Sequence, residues 1–197
     1  MRLRPNYPVE TSRLRLRPLG AGDLDALLGY HSSHDVHRYL PMDAMDAATV
    51  LDRLTMGPWS RSTLEEEGQA LTLGVELATT DELVGDVMLR WVSSSDRCGE
   101  LGYVFDPTHE GNGYATEAAD AVLRMAFDGL GLHRVITRID ARNGPSLALS
   151  ERLGMRKEAY LVENIWERGE WSDEVDFAML EGEWRDLHAA NREDATT

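Results

Sequence analysis

The chemistry most legible in this sequence lies in one run, Phe105-Asp106-Pro107-Thr108-His109-Glu110-Gly111-Asn112-Gly113-Tyr114-Ala115-Thr116-Glu117-Ala118. It passes from an apolar strand-like segment, through a turn with two glycines, into a well-patterned helix. The first turn of a helix leaves N–H groups without internal partners and carries the positive end of the helix dipole. Glycines let an anion approach such a backbone closely. Gly111, Asn112, Gly113, Tyr114, Ala115 and Thr116 are therefore candidate main-chain donors to a phosphate or pyrophosphate. A Gly-x-Gly turn also arises as plain turn geometry, so this spacing alone does not decide. The turn lacks the Gly-Lys-Ser/Thr ending of a P-loop, which disfavours phosphoryl transfer. It lacks the third glycine of the dinucleotide fingerprint, and its strand is fourth in order rather than first, which speaks against a Rossmann unit.

Two other sets of residues invite a chemical reading. His31, His34 and His37 recur at intervals of three, a spacing that could align two or three on a helix face. Metal ligation on a helix usually needs a carboxylate partner and a tighter signature than this, so no metal is expected. Cys98 as an acyl-carrying nucleophile would need a base beside it; a structural or surface thiol is the expectation.

The elements that must position these residues follow from periodicity. Arg13-Leu14-Arg15-Leu16-Arg17 alternates and stops at Pro18, which predicts a strand with one buried face. Asp23 stands where it can cap a helix from Leu24. Residues 31–68, polar and broken by Pro41, Gly57 and Pro58, are expected to hold one or two helices. Strands are predicted at 70–77, 83–92, 100–105 and 134–140, the first two joined through Thr79-Thr80-Asp81-Glu82. Ala115, Ala118, Ala119, Val122, Leu123 and Ala126 form one apolar helical stripe, with Asp120 and Arg124 free to pair on the opposite face. Asn143 is a candidate cap for the next helix, with Pro145 in its first turn and Gly154 past its end. Strands at 161–168 and 171–180 close the chain as a hairpin around Gly169. The strand–helix–strand unit over 100–140 implies a parallel pair inside a mainly antiparallel sheet, hence a mixed α/β fold. One domain over 1–190 and a disordered polar tail over 191–197 are expected.

Composition narrows the partners. The 197 residues include 35 Asp plus Glu against 20 Lys plus Arg, a formal charge of −15. That field repels nucleic acid and acidic lipid surfaces, so neither is an expected partner, and it favours cationic amines. No stretch approaches a membrane span and the N-terminus lacks the apolar core of a signal peptide. With a single cysteine, a cytoplasmic location is the expectation.

Several short motifs stand in a fixed order. They are Thr11-Ser12-Arg13-Leu14-Arg15-Leu16-Arg17-Pro18-Leu19, Arg38-Tyr39-Leu40-Pro41, Glu100-Leu101-Gly102-Tyr103, and Gly111-Asn112-Gly113-Tyr114-Ala115-Thr116-Glu117-Ala118. Asn143-Gly144-Pro145-Ser146, Arg152-Leu153-Gly154-Met155 and Gly169-Glu170-Trp171-Ser172-Asp173 complete the set. In this order they resemble the GNAT superfamily of acyl-CoA-dependent N-acyltransferases over residues 9–181, and most closely its ribosomal-protein-alanine N-acetyltransferase-like (RimJ/RimL-like) branch. The resemblance implies a mainly antiparallel twisted sheet of six or seven strands, a central splayed parallel pair and about four flanking helices. It implies direct acetyl transfer from acetyl-CoA to a primary amine in a ternary complex. The acceptor would be a protein N-terminus or a small-molecule amine, and the chain a homodimer. The pantetheine arm would lie between strands 100–105 and 134–140, bonded by the main chain of Tyr103, Val104 and Phe105, with the pyrophosphate over 111–116. Asn143 would bond the pantetheine.

The resemblance would also place Ser146 near the thioester sulfur, and the chemistry of the transfer suggests the catalytic groups. A protonated amine needs a base or a water chain before it can attack, and Glu100 is the candidate. The departing thiolate needs a proton donor, and Ser146 is the candidate. Three positions depart from the family pattern: Glu110 precedes the glycine turn, Ser150 stands where many relatives carry a tyrosine acid, and Ile165 where this branch carries a glutamate. These departures leave open a second reading, a CoA-binding module that senses acyl-CoA or binds a partner without turnover.

Overall fold

The alternation of Arg13–Arg17 produces a strand whose two leucines are fully buried while its arginines face outward. A computed structural model, which describes residues 1–194, places that strand near one edge of a single continuous sheet. In chain order the elements are β1 (Val9–Glu10), β2 (Leu14–Pro18), α1 (Leu24–His31), α2 (Ala47–Thr55), β3 (Ala70–Leu77), β4 (Leu83–Ser93) and β5 (Cys98–Phe105). They continue as α3 (Tyr114–Arg124), β6 (Arg134–Asp140), α4 (Gly144–Arg152), β7 (Arg156–Glu167), β8 (Glu170–Leu180) and α5 (Glu181–Asp194). The strands lie in the order β1-β2-β3-β4-β5-β6-β8-β7. Every neighbouring pair is antiparallel except β5–β6. This is the mixed fold expected from the sequence. Among the described residues it has eight strands rather than six or seven, because Val9–Glu10 adds a two-residue edge.

Five α-helices appear among the described residues rather than about four. The addition is α5, which runs through 191–194, where a disordered tail was expected; the rest of that tail, 195–197, lies outside the described residues. Asp23 does not cap α1 through its side chain. Its carboxylate instead takes the Arg17 guanidinium at 2.7 Å and the Gly20 N–H at 2.8 Å. Burial works against that charge, but these bonds outweigh it and hold the carboxyl below its usual range.

Strand alternation divides the sheet into two faces. Val87, Leu89 and Trp91 of β4 join the larger core with Ala118, Ala119, Val122 and Leu123 of α3. A smaller cluster on α1 and α2 packs Leu27, Tyr30, Val50, Leu54 and Trp59 around Leu19 and Val104. Asp86, Met88 and Arg90 alternate with the core residues of β4 and line a cavity beside the smaller cluster.

Candidate active site

The two glycines of the turn before α3 do what only glycine does cheaply. Gly111 and Gly113 sit at φ 79° and 77° in the left-handed region. The first helical bond runs from the Glu117 N–H to the Gly113 carbonyl. Among the described residues, no acceptor in the chain meets the main-chain N–H groups of 111–116. These free donors stand at the positive end of an 11-residue helix. Glu110, the unusual acid before the turn, is exposed to solvent.

The cradle is braced by the opening motif of the chain. One Glu117 oxygen accepts from the Thr11 and Ser12 hydroxyls at 2.6 and 2.8 Å and from the Arg13 N–H at 2.8 Å. The other takes Arg13 Nε at 2.7 Å, and Arg13 Nη1 reaches the Asn112 carbonyl at 2.9 Å. Burial alone would raise the Glu117 pKa, but this set of donors brings it down to about 2. Thr11-Ser12-Arg13 and Glu117 are thus one bonded unit across more than 100 residues.

The parallel pair β5–β6 holds register only over Cys98↔Arg134, Gly99↔Val135 and Glu100↔Ile136. Beyond that point the strands separate. β4 covers one edge of 101–105 and β8 covers the far edge of β6, so the two inner edges face a gap. A cavity of about 490 Å³ reaches this gap, lined there by residues 100–104, Thr137, Ile139, Asn143 and Ser146. The Asn143 side chain caps α4 by accepting the Ser146 N–H at 3.2 Å. Tyr103, expected to contribute only its main chain, also sends its side chain across the gap. Its hydroxyl donates to the Ser146 carbonyl at 3.3 Å, and burial raises the phenol pKa. Ser150 is fully buried and paired with the Thr137 hydroxyl at 3.3 Å. Ser146 and Tyr103 thus line the cavity near the gap, with the buried Ser150 within hydrogen-bonding reach of the Tyr103 phenol. Phe105 packs against the larger core.

Glu100 lines the same cavity where the strands begin to part, and its carboxylate takes the Arg138 guanidinium at 2.9 Å. The cavity wall on the α1 side holds a group the sequence did not single out as a unit. Asp86 accepts from the Tyr30 hydroxyl at 2.9 Å and lies 2.8 Å from His31 Nε2. His31 Nδ1 lies 3.1 Å from His37 Nε2, and His37 Nδ1 meets the Met42 carbonyl at 3.2 Å. The histidine triplet is therefore not a helix face: α1 ends at His31, His34 is exposed, and His31 and His37 turn inward to an aspartate. No group of three His, Cys, Asp or Glu side chains among the described residues is disposed to hold a metal.

The adjoining wall segment, 39–42, is tied down from the far end of the chain. Arg168, at the tip of the β7–β8 hairpin, donates to the carbonyls of His37, Arg38, Leu40 and Met42 at 2.8 to 3.2 Å and to Asp43 at 3.1 Å. In β7 the register slips between Leu161 and Ile165, so the segment aligned with the family's glutamate bulges. There the Glu163 N–H is bonded to Asp173 and the Asn164 amide to Glu174.

A strand pair parted around a cavity, beside a helix start with free N–H groups, is the arrangement of an acyltransferase fold, and comparison with known proteins agrees. Residues 13–156 match the family model for the acetyltransferase (GNAT) domain, and the chain belongs to that family. It is 30% identical over 179 residues, 89% of its own length and 98% of the relative's, to the uncharacterized N-acetyltransferase YnaD of Bacillus subtilis. A solved GNAT-family acetyltransferase from Bacillus anthracis superposes with a TM-score of 0.78 at 29% identity, covering 92% of this chain and 99% of that one. The spermidine N-acetyltransferase of Vibrio cholerae, solved with CoA and spermine, shares the fold at TM-score 0.75 and 24% identity over 88% of this chain and 99% of that one. The protein is an N-acetyltransferase of a family that uses acetyl-CoA.

Proposed function

We propose that this enzyme transfers an acetyl group directly from acetyl-CoA to a primary amine within a ternary complex. The observation that carries this reading is the gap that opens past Glu100 and Ile136, continuous with the cavity. One mouth of the gap lies by the free N–H groups of 111–116, which would take the pyrophosphate. The inner edge of Tyr103, Val104 and Phe105 would bond the pantetheine as an added strand, with Asn143 facing it across the gap. The acetyl carbonyl would then point into the cavity, where an amine can meet it.

The chain's own groups handle the protons. The nitrogen lone pair forms the new C–N bond, the C–S bond breaks, and the sulfur leaves with its electron pair. The amine must shed two protons from its ammonium form: one to a base, one that ends on sulfur. Ser146, with the Tyr103 hydroxyl beside its carbonyl, is the donor to the departing thiolate. Glu100 is the base, through water, because Arg138 already occupies one of its oxygens. A main-chain N–H of β5 stabilises the oxyanion.

The test is thiol release from acetyl-CoA with a panel of amines, with mass spectrometry of the acceptor. Intersecting initial-rate lines and an N-acetylated product are expected. Parallel lines, or acetate as the sole product, would sink the direct-transfer reading.

A further inference from the structure

The cavity reverses the sign of the molecule that contains it. The chain carries −15, yet the charged residues lining the cavity are Arg53, Arg61, Arg90 and Arg138 against Asp86 and Glu100. Both acids are already engaged, Glu100 by Arg138 and Asp86 by Tyr30 and His31. Among the described residues, no carboxylate lies within ion-pair distance of Arg53, Arg61 or Arg90. Some arginines elsewhere are paired, Arg17 by Asp23 and Glu76 and Arg142 by Asp140 and Glu170, and others such as Arg97 and Arg152 are not; what sets Arg53, Arg61 and Arg90 apart is that they line one cavity together. Three guanidinium groups without carboxylate partners around one cavity, in a chain with 35 acids, are a local excess of positive charge that favours an anion there.

Their position separates them from the expected cofactor site. The cradle at 111–116 follows the open end of β5. Arg90 pairs in register with Glu100, where the gap is closed, four residues along β4 from Asp86. That is roughly 13 Å at the rise of a strand. Arg53 stands on α2, which packs with the smaller cluster on the face away from α3, and its guanidinium lies 5.5 Å from the centre of the Trp59 ring. The arginines thus border the half of the cavity left for the acceptor.

We propose, on the basis of the acetyl-transfer reading above, that the acceptor is an amine carrying a carboxylate on the same molecule, gripped by Arg53, Arg61 and Arg90. The planar fork of arginine matches a carboxylate with two parallel bonds. The same cations repel a polyamine. They also disfavour the ammonium form of an amine brought among them, which leaves the neutral nucleophile that attack requires. The cavity volume suits a free amino acid or the first residues of a peptide.

The experiment measures kcat/KM for four acceptors: glutamate, a tripeptide amide bearing an acidic second residue, propylamine and spermidine. The wild-type enzyme is expected to prefer a carboxylated acceptor over propylamine and spermidine; which of the two it prefers tells free amino acid from peptide N-terminus. In Arg61→Gln and Arg90→Gln, both on exposed side chains, that preference should fall at least tenfold. Spermidine as the best substrate, or an unchanged preference in both variants, overturns the proposal. So does a rise confined to KM for acetyl-CoA, which would give the arginines to the cofactor. If no amine is acetylated, the transfer reading fails on its own. Calorimetry of the acidic tripeptide amide and of glutamate on CoA-loaded protein then decides the site: binding that weakens tenfold in the variants supports it, and absent or unaltered binding refutes it.

Discussion

At the scale of single residues, the hydroxyl groups beside the gap separate function from helix architecture. Ser146 sits in the first turn of α4, where its N–H is capped by Asn143 and its carbonyl takes the Tyr103 hydroxyl. Both contacts use the Ser146 main chain, so Ser146→Ala leaves them in place and removes only the proposed proton donor. We expect kcat to fall about 10–100-fold with little change in CoA affinity, read by steady-state kinetics and calorimetry. A fall in affinity with unchanged kcat would return Ser146 to a binding role. The turn at Gly111 and Gly113 and the Asn143 cap were legible in sequence because glycines and a helix cap act on their near neighbours. The pairing of Asp86 with His31 was not, since 55 positions separate them and only the packing of α1 on β4 brings them together. Nor was the Glu100–Arg138 pair, which depends on the three-residue register of β5 with β6.

At the scale of elements, two long-range ties hold the site's movable parts. The first joins the start of α3 to the Thr11-Ser12-Arg13 turn through Glu117. Its carboxyl is ionised down to about 2 in the folded protein against an ordinary 4.5. A depressed carboxyl stabilises the fold fully above the unfolded value and loses that contribution as pH falls. Glu117→Gln should therefore cost about 1–2 kcal/mol at pH 7, allowing for the half-exposed Arg13 partner. The deficit should shrink below about pH 4.5 and close near pH 2. Urea unfolding of both proteins across that range checks the sign; a constant gap would mean that Glu117 acts by shape rather than charge. The second tie is Arg168. Arg168→Ala should speed amide exchange across 37–43 and raise KM for the acceptor more than for acetyl-CoA. Arg168→Lys should restore little, because one ammonium cannot serve four carbonyls and Asp43 together. The strands, α3 and α4 were readable from local periodicity. Within 31–68 the expected helix is α2, but the path of 37–43 was not readable, because it is set by outside partners such as Arg168 rather than by its own pattern.

At the scale of the whole molecule, net charge and site charge pull in opposite directions. A charge of −15 on a body roughly 20 Å in radius opposes each incoming negative charge by about 3 kcal/mol in salt-free water. Near 0.1 M salt the Debye length is about 10 Å, and the same term drops to about 1 kcal/mol. Acetyl-CoA is a polyanion and meets this field before it reaches its proposed seat at 111–116. The cradle itself is made of main-chain dipoles, whose reach is one helical turn. The long-range term therefore governs approach and the dipoles govern docking. Screening should help acetyl-CoA more than it harms it: KM for acetyl-CoA should fall several-fold as NaCl rises from about 10 to 150 mM, with kcat nearly constant. Stopped-flow binding of CoA should show the gain in the association rate. A KM that climbs with salt would mean that fixed cations near the cradle, Arg13 first among them, outweigh the charge of the whole chain.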